Sequence, residues 1–211
     1  MNRILALTAT AALALPCAGA LAAPKPPPGG APTLKAAPAI VVWGASSTLS
    51  GKVPGSKTGT AVALQRDPFP LGDGWLAYRT ATTGKGGAFT FTVAPFIATT
   101  YRVVADGAAS PGVQVRVRPS VGLSLARSGG LTRFSGSVHP ARDGARVSIQ
   151  RRSASGAWTT VRRTTLADAG SARSTYSARV RVRTAGVYRV RLAAAPGYLA
   201  GTSRERAVSA R

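Results

Sequence analysis

One block of this chain occurs twice. Leu49-Ser50-Gly51-Lys52-Val53 matches Phe134-Ser135-Gly136-Ser137-Val138, 85 positions later. The same offset carries Gly59-Thr60-Ala61-Val62-Ala63-Leu64-Gln65-Arg66 onto Gly144-Ala145-Arg146-Val147-Ser148-Ile149-Gln150-Arg151. Trp75 then pairs with Trp158, and Tyr101-Arg102-Val103 with Tyr188-Arg189-Val190. Four blocks in one order mean two copies of one folding unit. They meet near Arg118-Pro119-Ser120.

Each copy reads as strands. Val113-Gln114-Val115-Arg116-Val117-Arg118 alternates, and so do Val180-Arg181-Val182-Arg183 and Tyr188-Arg189-Val190-Arg191-Leu192. Strand side chains point alternately to opposite faces, so the valines share one face and the arginines the other. Half-buried antiparallel strands have this pattern. The second copy offers seven strands, over 121–125, 132–138, 145–151, 158–164, 174–183, 187–192 and 204–209. Short strands with regularly spaced turn residues predict an all-β fold of two tandem two-sheet sandwiches.

The start of the chain is different in kind. Met1-Asn2-Arg3 is a short basic head, and Ile4 to Leu15 an apolar run too short to span a bilayer. Ala20-Leu21-Ala22 fits a signal-peptidase site, with cleavage after Ala22 or Ala23. The sole cysteine, Cys17, falls inside this segment, preceded by Pro16 and Ala14 rather than a lipoprotein pattern. A cleaved chain has no thiol for a disulfide, metal site or nucleophile. Pro24 to Pro32 is Pro/Gly-rich and extended. The expected order is a signal peptide at 1–23, a linker at 24–36, one sandwich at 37–118 and a second at 119–211, with no transmembrane segment after cleavage.

The order Ser-Gly-x-Val, Gly-x-x-Val-x-(Leu/Ile)-Gln-Arg, a Trp behind Gly, then Tyr-Arg-Val resembles the immunoglobulin-like and fibronectin type III-like repeats of secreted bacterial proteins. The likeness covers residues 37–210 and lacks the Cys-Cys bridge of antibody domains. It implies two immunoglobulin-like β-sandwiches whose third, sixth and seventh strands share a sheet. It also implies tyrosine corners at Tyr101 and Tyr188. Such repeats serve as surface modules, spacers or adhesins. The implied role is non-catalytic spacing, adhesion, or contact with surface proteins or glycans, secreted or in the cell envelope.

No motif in the sequence carries catalysis, a metal or a cofactor. His139, the single histidine, reads as a solvated turn residue, with Asp143 the nearest acid in sequence. The acids Asp67, Asp73, Asp106, Asp143, Asp168 and Glu205 are scattered through turns, without a paired-carboxylate or calcium-loop spacing. Asp67 to Gly74 is the longest loop of the first copy, and turn chemistry is the expected role of Asp67. Gly55–Gly59 and Gly84–Gly87 read as hairpin turns rather than phosphate loops. Trp75 and Trp158 are expected to pack in the core or at its rim, with stacking on a sugar ring as the alternative.

Charge supplies a second functional reading. Lys+Arg number 28 against 6 Asp+Glu, a formal net charge of +22. Such a field attracts polyanions and opposes compaction. Arginine, alanine, glycine and proline all have GC-rich codons, so compositional drift is a second source of the bias. Strand alternation points Arg102, Arg116, Arg118, Arg146, Arg152, Arg189 and Arg191 outward. These are candidates for binding teichoic acid, lipopolysaccharide, acidic glycans or extracellular DNA, since the planar guanidinium donates bidentately to phosphate and carboxylate. Arg179, Arg181 and Arg183 are expected on the other sheet. A charge coat on both faces, without a nucleic-acid motif, predicts no sequence-specific DNA or RNA reading.

Overall fold

The computed structural model describes residues 30–210. The segment read as a signal peptide, Cys17 and the part of the expected linker up to Gly29 lie outside them. Among the described residues the regular structure is β, apart from one 3-10 turn at Lys85–Gly87. No helix there is long and apolar enough to cross a membrane.

Nine strands build the first sandwich: β1 (Lys35–Ala37), β2 (Ile40–Val42), β3 (Ser47–Lys52), β4 (Ala61–Pro68), β5 (Leu76–Thr82), β6 (Ala88–Val93), β7 (Thr99–Ala105), β8 (Ala108–Ala109) and β9 (Val113–Arg118). One sheet has the order β1-β3-β6; the other runs β2-β9-β7-β4-β5, with β8 on β7. Between them lies a core that includes Leu49, Val62, Leu64, Phe89, Phe91, Tyr101, Val103, Val115 and Val117. The alternation explains the burial: Val115 and Val117 are enclosed while Arg116 and Arg118 are exposed.

Ten strands build the second: β10 (Ser120–Val121), β11 (Ser124–Ser128), β12 (Leu131–His139), β13 (Arg146–Arg152), β14 (Trp158–Thr165), β15 (Ala167–Asp168), β16 (Ser174–Val180), β17 (Gly186–Leu192), β18 (Gly201–Thr202) and β19 (Arg206–Val208). One sheet has the order β10-β12-β16-β15 with β11 on β12; the other runs β14-β13-β17-β18 with β19 on β17. Phe134, Val138, Val147, Ile149, Tyr176, Tyr188, Val190 and Leu192 fill this core. The strands expected as third, sixth and seventh, here β13, β17 and β19, share a sheet, and β14, which begins at Trp158, joins it at the edge.

The repeated Ser-Gly has a steric cause. A Cβ on Gly51 would collide with the Thr33 carbonyl, and one on Gly136 with the Gly122 carbonyl. At both places the incoming chain crosses its neighbour at backbone distance, which only glycine permits. The repeated Gln-Arg follows a shared irregularity: the ladder shifts register at Leu64/Gln65 and at Ile149/Gln150. Such a bulge increases local twist and bends the strand.

Several boundaries differ from the sequence reading. Thr33 N donates to Lys52 O, Leu34 packs on the first core and β1 starts at Lys35, all within the stretch read as linker. Proline ends at Pro32, and the next residues are free to pair. β16 stops at Val180 rather than Arg183. β2 is a parallel partner of β9, which three apolar residues in a row did not announce.

The two sandwiches touch through a built joint. Leu199 N donates to Val117 O at 2.9 Å, and Ala98 N to Gly197 O at 3.0 Å. Tyr198 packs against the first core. His139 stacks on Trp43, with ring centroids 5.6 Å apart and planes 14° apart, and Phe96 lies 6.1 Å from Trp43 on the first sandwich. His139 is therefore not a solvated turn residue: it ends β12 and is half-buried in the joint.

Candidate functional site: the arginine faces

The outer face of the sheet containing β13 and β17 collects the candidate arginines of the second sandwich. Arg146, Ser148, Gln150 and Arg152 alternate with the buried Val147 and Ile149 along β13. On β17, Arg189 lies opposite Gln150 and Arg191 opposite Ser148. Arg163 of β14 stands on the other side of Ser148, so it joins this face. Sequence reading missed Arg163 because the bulge at Ile149/Gln150 resets which β14 residues face outward. Arg152 is 3.6 Å from Glu205, the one ion pair among the described residues, and both side chains are about half exposed. A pair so exposed adds little stability.

The first sandwich repeats part of this face. Arg102 lies opposite Gln65 on β4, while Arg116 and Arg118 lie along β9. In both copies the arginine of Tyr-Arg-Val is held in one way. Arg102 Nε donates to Gln65 Oε1 at 2.7 Å, and Arg189 Nε to Gln150 Oε1 at 3.0 Å. The Arg102 guanidinium carbon sits 4.2 Å from the Trp75 ring centroid, and that of Arg189 4.0 Å from Trp158. Cation–π attraction and a fixed hydrogen bond thus orient both groups. Trp75 and Trp158 are half-buried on the outer face, and neither enters a core. Arg189 has its pKa lowered, first by partial burial; Glu205 opposes the shift and the charges of Arg191 and Arg152 reinforce it.

The two copies differ in charge. Residues 119–211 contain 17 arginines, no lysine and 3 acids; residues 37–118 contain 5 arginines, 3 lysines and 3 acids. Both copies are encoded in one chain and face the same codon bias, so uniform drift does not explain the difference. Where the second copy has Arg146, Arg152, Arg163 and Arg191, the first has Ala61, Asp67, Thr80 and Val104 at the equivalent strand positions.

Several other polar residues tie turns and strands together. Gly72 N donates to Asp67 Oδ2 at 2.9 Å and Gly170 N to Asp168 Oδ1 at 2.7 Å, which is turn chemistry. Ser174 Oγ donates to Asp143 Oδ1 at 2.5 Å, joining a turn to β16. Tyr188 Oη donates to Thr184 O at 3.3 Å, the backbone contact of a tyrosine corner. Tyr101 has Thr99 as its hydrogen-bonding neighbour instead. Tyr176 Oη donates to Gly122 O at 2.6 Å. Among the described residues no three His, Cys, Asp or Glu side chains gather as a metal site would require.

No protein-family model matches the chain, and no curated protein does. Among solved structures it is similar to a tetra-tandem repeat in the extending region of a large adhesion protein, at 16% identity and a TM-score of 0.36. The similarity covers 86% of this chain and 50% of that one, so the chain spans half that neighbour's length.

Proposed function

We propose that the chain is a non-catalytic, exported immunoglobulin-like module that spaces or presents binding surfaces outside the cell or in its envelope. The joint is the observation that carries this reading. Two backbone hydrogen bonds, Tyr198 against the first core and the Trp43–His139 stack tie the copies together. Domains connected only by a linker move independently, whereas a packed and hydrogen-bonded contact holds an orientation. A spacer gains reach from such a contact. The leader read at 1–23 supports export. Expression of the full chain in a bacterial host tests this part: the culture medium or envelope fraction should contain a chain starting at Ala23 or Pro24. Retention of the intact chain in the cytoplasm would contradict it.

A second reading is electrostatic capture of polyanions through outward arginines. The charge difference between the copies favours it, since a fold that stands with Ala61, Thr80 and Val104 in the first copy does not require arginine at those places in the second.

A further inference from the structure

The strongest case for a ligand lies on the other sheet of the second sandwich. Arg133 of β12 and Arg179 of β16 are register partners on its exposed face. Directly opposed residues in an antiparallel pair have Cα atoms about 4.5–5.5 Å apart. Like charges there destabilise the sheet. Neither arginine is in an ion pair among the described residues. The first copy shows what the fold itself needs: the equivalent pair is Thr48 and Thr92, again in register and exposed. Two threonines at such a place pair favourably. The second copy therefore carries an opposed cation pair in a ladder that closes without it.

We infer that Arg133 and Arg179 form an anion site for a phosphate group of a phosphodiester chain. This rests on the polyanion reading and gives it a location. Both arginines line a depression of about 200 Å³ with Ala126, Ser128 and Leu131. A guanidinium fork saturates a planar carboxylate by itself. A phosphodiester has two free oxygens splayed about a tetrahedral phosphorus, so two guanidinium groups arriving from neighbouring strands can each take one. The Ser128 hydroxyl adds a hydrogen-bonding group, and Ala126 and Leu131 offer an apolar wall to the carbon skeleton between phosphates. An anion between the arginines removes the repulsion that the empty ladder bears.

The test restores the first copy's own pair. The full chain, R133T/R179T and the charge-matched K57T/K85T, which removes two exposed turn lysines of the first copy, are titrated calorimetrically at low salt with three oligomers of equal charge: glycerol phosphate, oligo-dT and glucuronate. The site predicts that R133T/R179T binds the phosphodiesters about tenfold or more weakly, with a salt slope smaller by about 1.4 for two lost contacts. K57T/K85T should change affinity less than about threefold, as expected of a screened charge elsewhere. R133T/R179T should also melt a few degrees higher at low salt, because the opposed charges are gone. Tighter binding of glycerol phosphate than of oligo-dT assigns the source to envelope polymers; the reverse order assigns it to nucleic acid, and either supports the site. Equal losses in the two double variants would overturn the site while leaving generic polyanion binding standing. Glucuronate bound as tightly as the phosphodiesters would overturn the phosphate assignment. Absence of binding by the unaltered chain would remove the polyanion reading and the site together.

Discussion

Arg189 stacks on Trp158, its guanidinium carbon 4.0 Å from the ring centroid, while its Nε is fixed by Gln150. Arg102, Trp75 and Gln65 repeat the arrangement in the first copy. The repeated Gln-Arg, Trp and Tyr-Arg-Val blocks are thus one structural device: two neighbouring strands give the Gln and the Arg, and the Trp comes from the start of β14 in the second copy and from just before β5 in the first. A double-mutant cycle on Arg189→Ala and Trp158→Ala should give a coupling of about 0.5–1 kcal/mol, the range for exposed cation–π pairs. Urea unfolding of the four proteins measures it. Additive effects would mean that the stack contributes no stability.

The glycines of the Ser-Gly repeat should be intolerant. Gly51→Ala and Gly136→Ala each force a Cβ against a backbone carbonyl, which cannot swing aside as a side chain tip can. Each should cost about 1–3 kcal/mol or more, the scale of overpacking. Thermal melting reads this directly. Gly84→Ala provides a control for introducing a methyl at a turn, since its φ is −90° and the nearest atom to its Cβ position, Ala88 O, is 3.8 Å away.

Tyr176 should show the value of a single hydroxyl. Its Oη donates to Gly122 O, and the first copy has Phe89 at the equivalent place, so the ring fits without the hydroxyl. Tyr176→Phe should retain the fold and lose about 1–3 kcal/mol, because a carbonyl at the strand crossing loses its partner. Denaturant melts at neutral pH measure the loss.

Stability should fall at high pH through Tyr101. Burial, reinforced by Tyr78, pushes its hydroxyl from 10.0 up to about 12, against the Thr99 hydrogen bond and the nearby Arg66 and Arg79 charges. The unfolded chain releases this proton near pH 10 and the folded chain only near pH 12. Stability from the raised pKa is therefore complete below about pH 10 and is lost as pH rises toward 12. Tyr101→Phe should melt with a flatter dependence across that window. A Tyr101→Phe profile parallel to that of the unaltered chain would rule out this residue as the cause.

Much of the fold is readable from period two. Val115 and Val117 turn inward because strand neighbours alternate, and that alone places Arg116 and Arg118 outside. The repeat blocks are equally legible, since Gly51 and Gly136 meet the same steric demand. Register is not. Which residue of β16 faces Arg133 depends on how the chain returns through β13, β14 and β15, so the Arg133–Arg179 opposition leaves no trace in either strand alone. Arg163 was hidden by the bulge at Ile149/Gln150. The joint was hidden by distance along the chain: Trp43 and His139 are 96 positions apart, and His139 next to Pro140 looks like a turn until Trp43 covers it. β1 and β2 are three residues each, too short for alternation to register.

The central claim, that the two sandwiches are held as one unit, is tested most directly by a spin-label distance between them. Cys17 is the single cysteine, so in a C17S background T90C/S177C places one label on an exposed strand position of each copy. The joint predicts a single narrow distance distribution that broadens when Trp43→Ala and Tyr198→Ala are added. A broad distribution in the chain with Trp43 and Tyr198 intact would contradict it, and would mean that the sandwiches are connected without being docked.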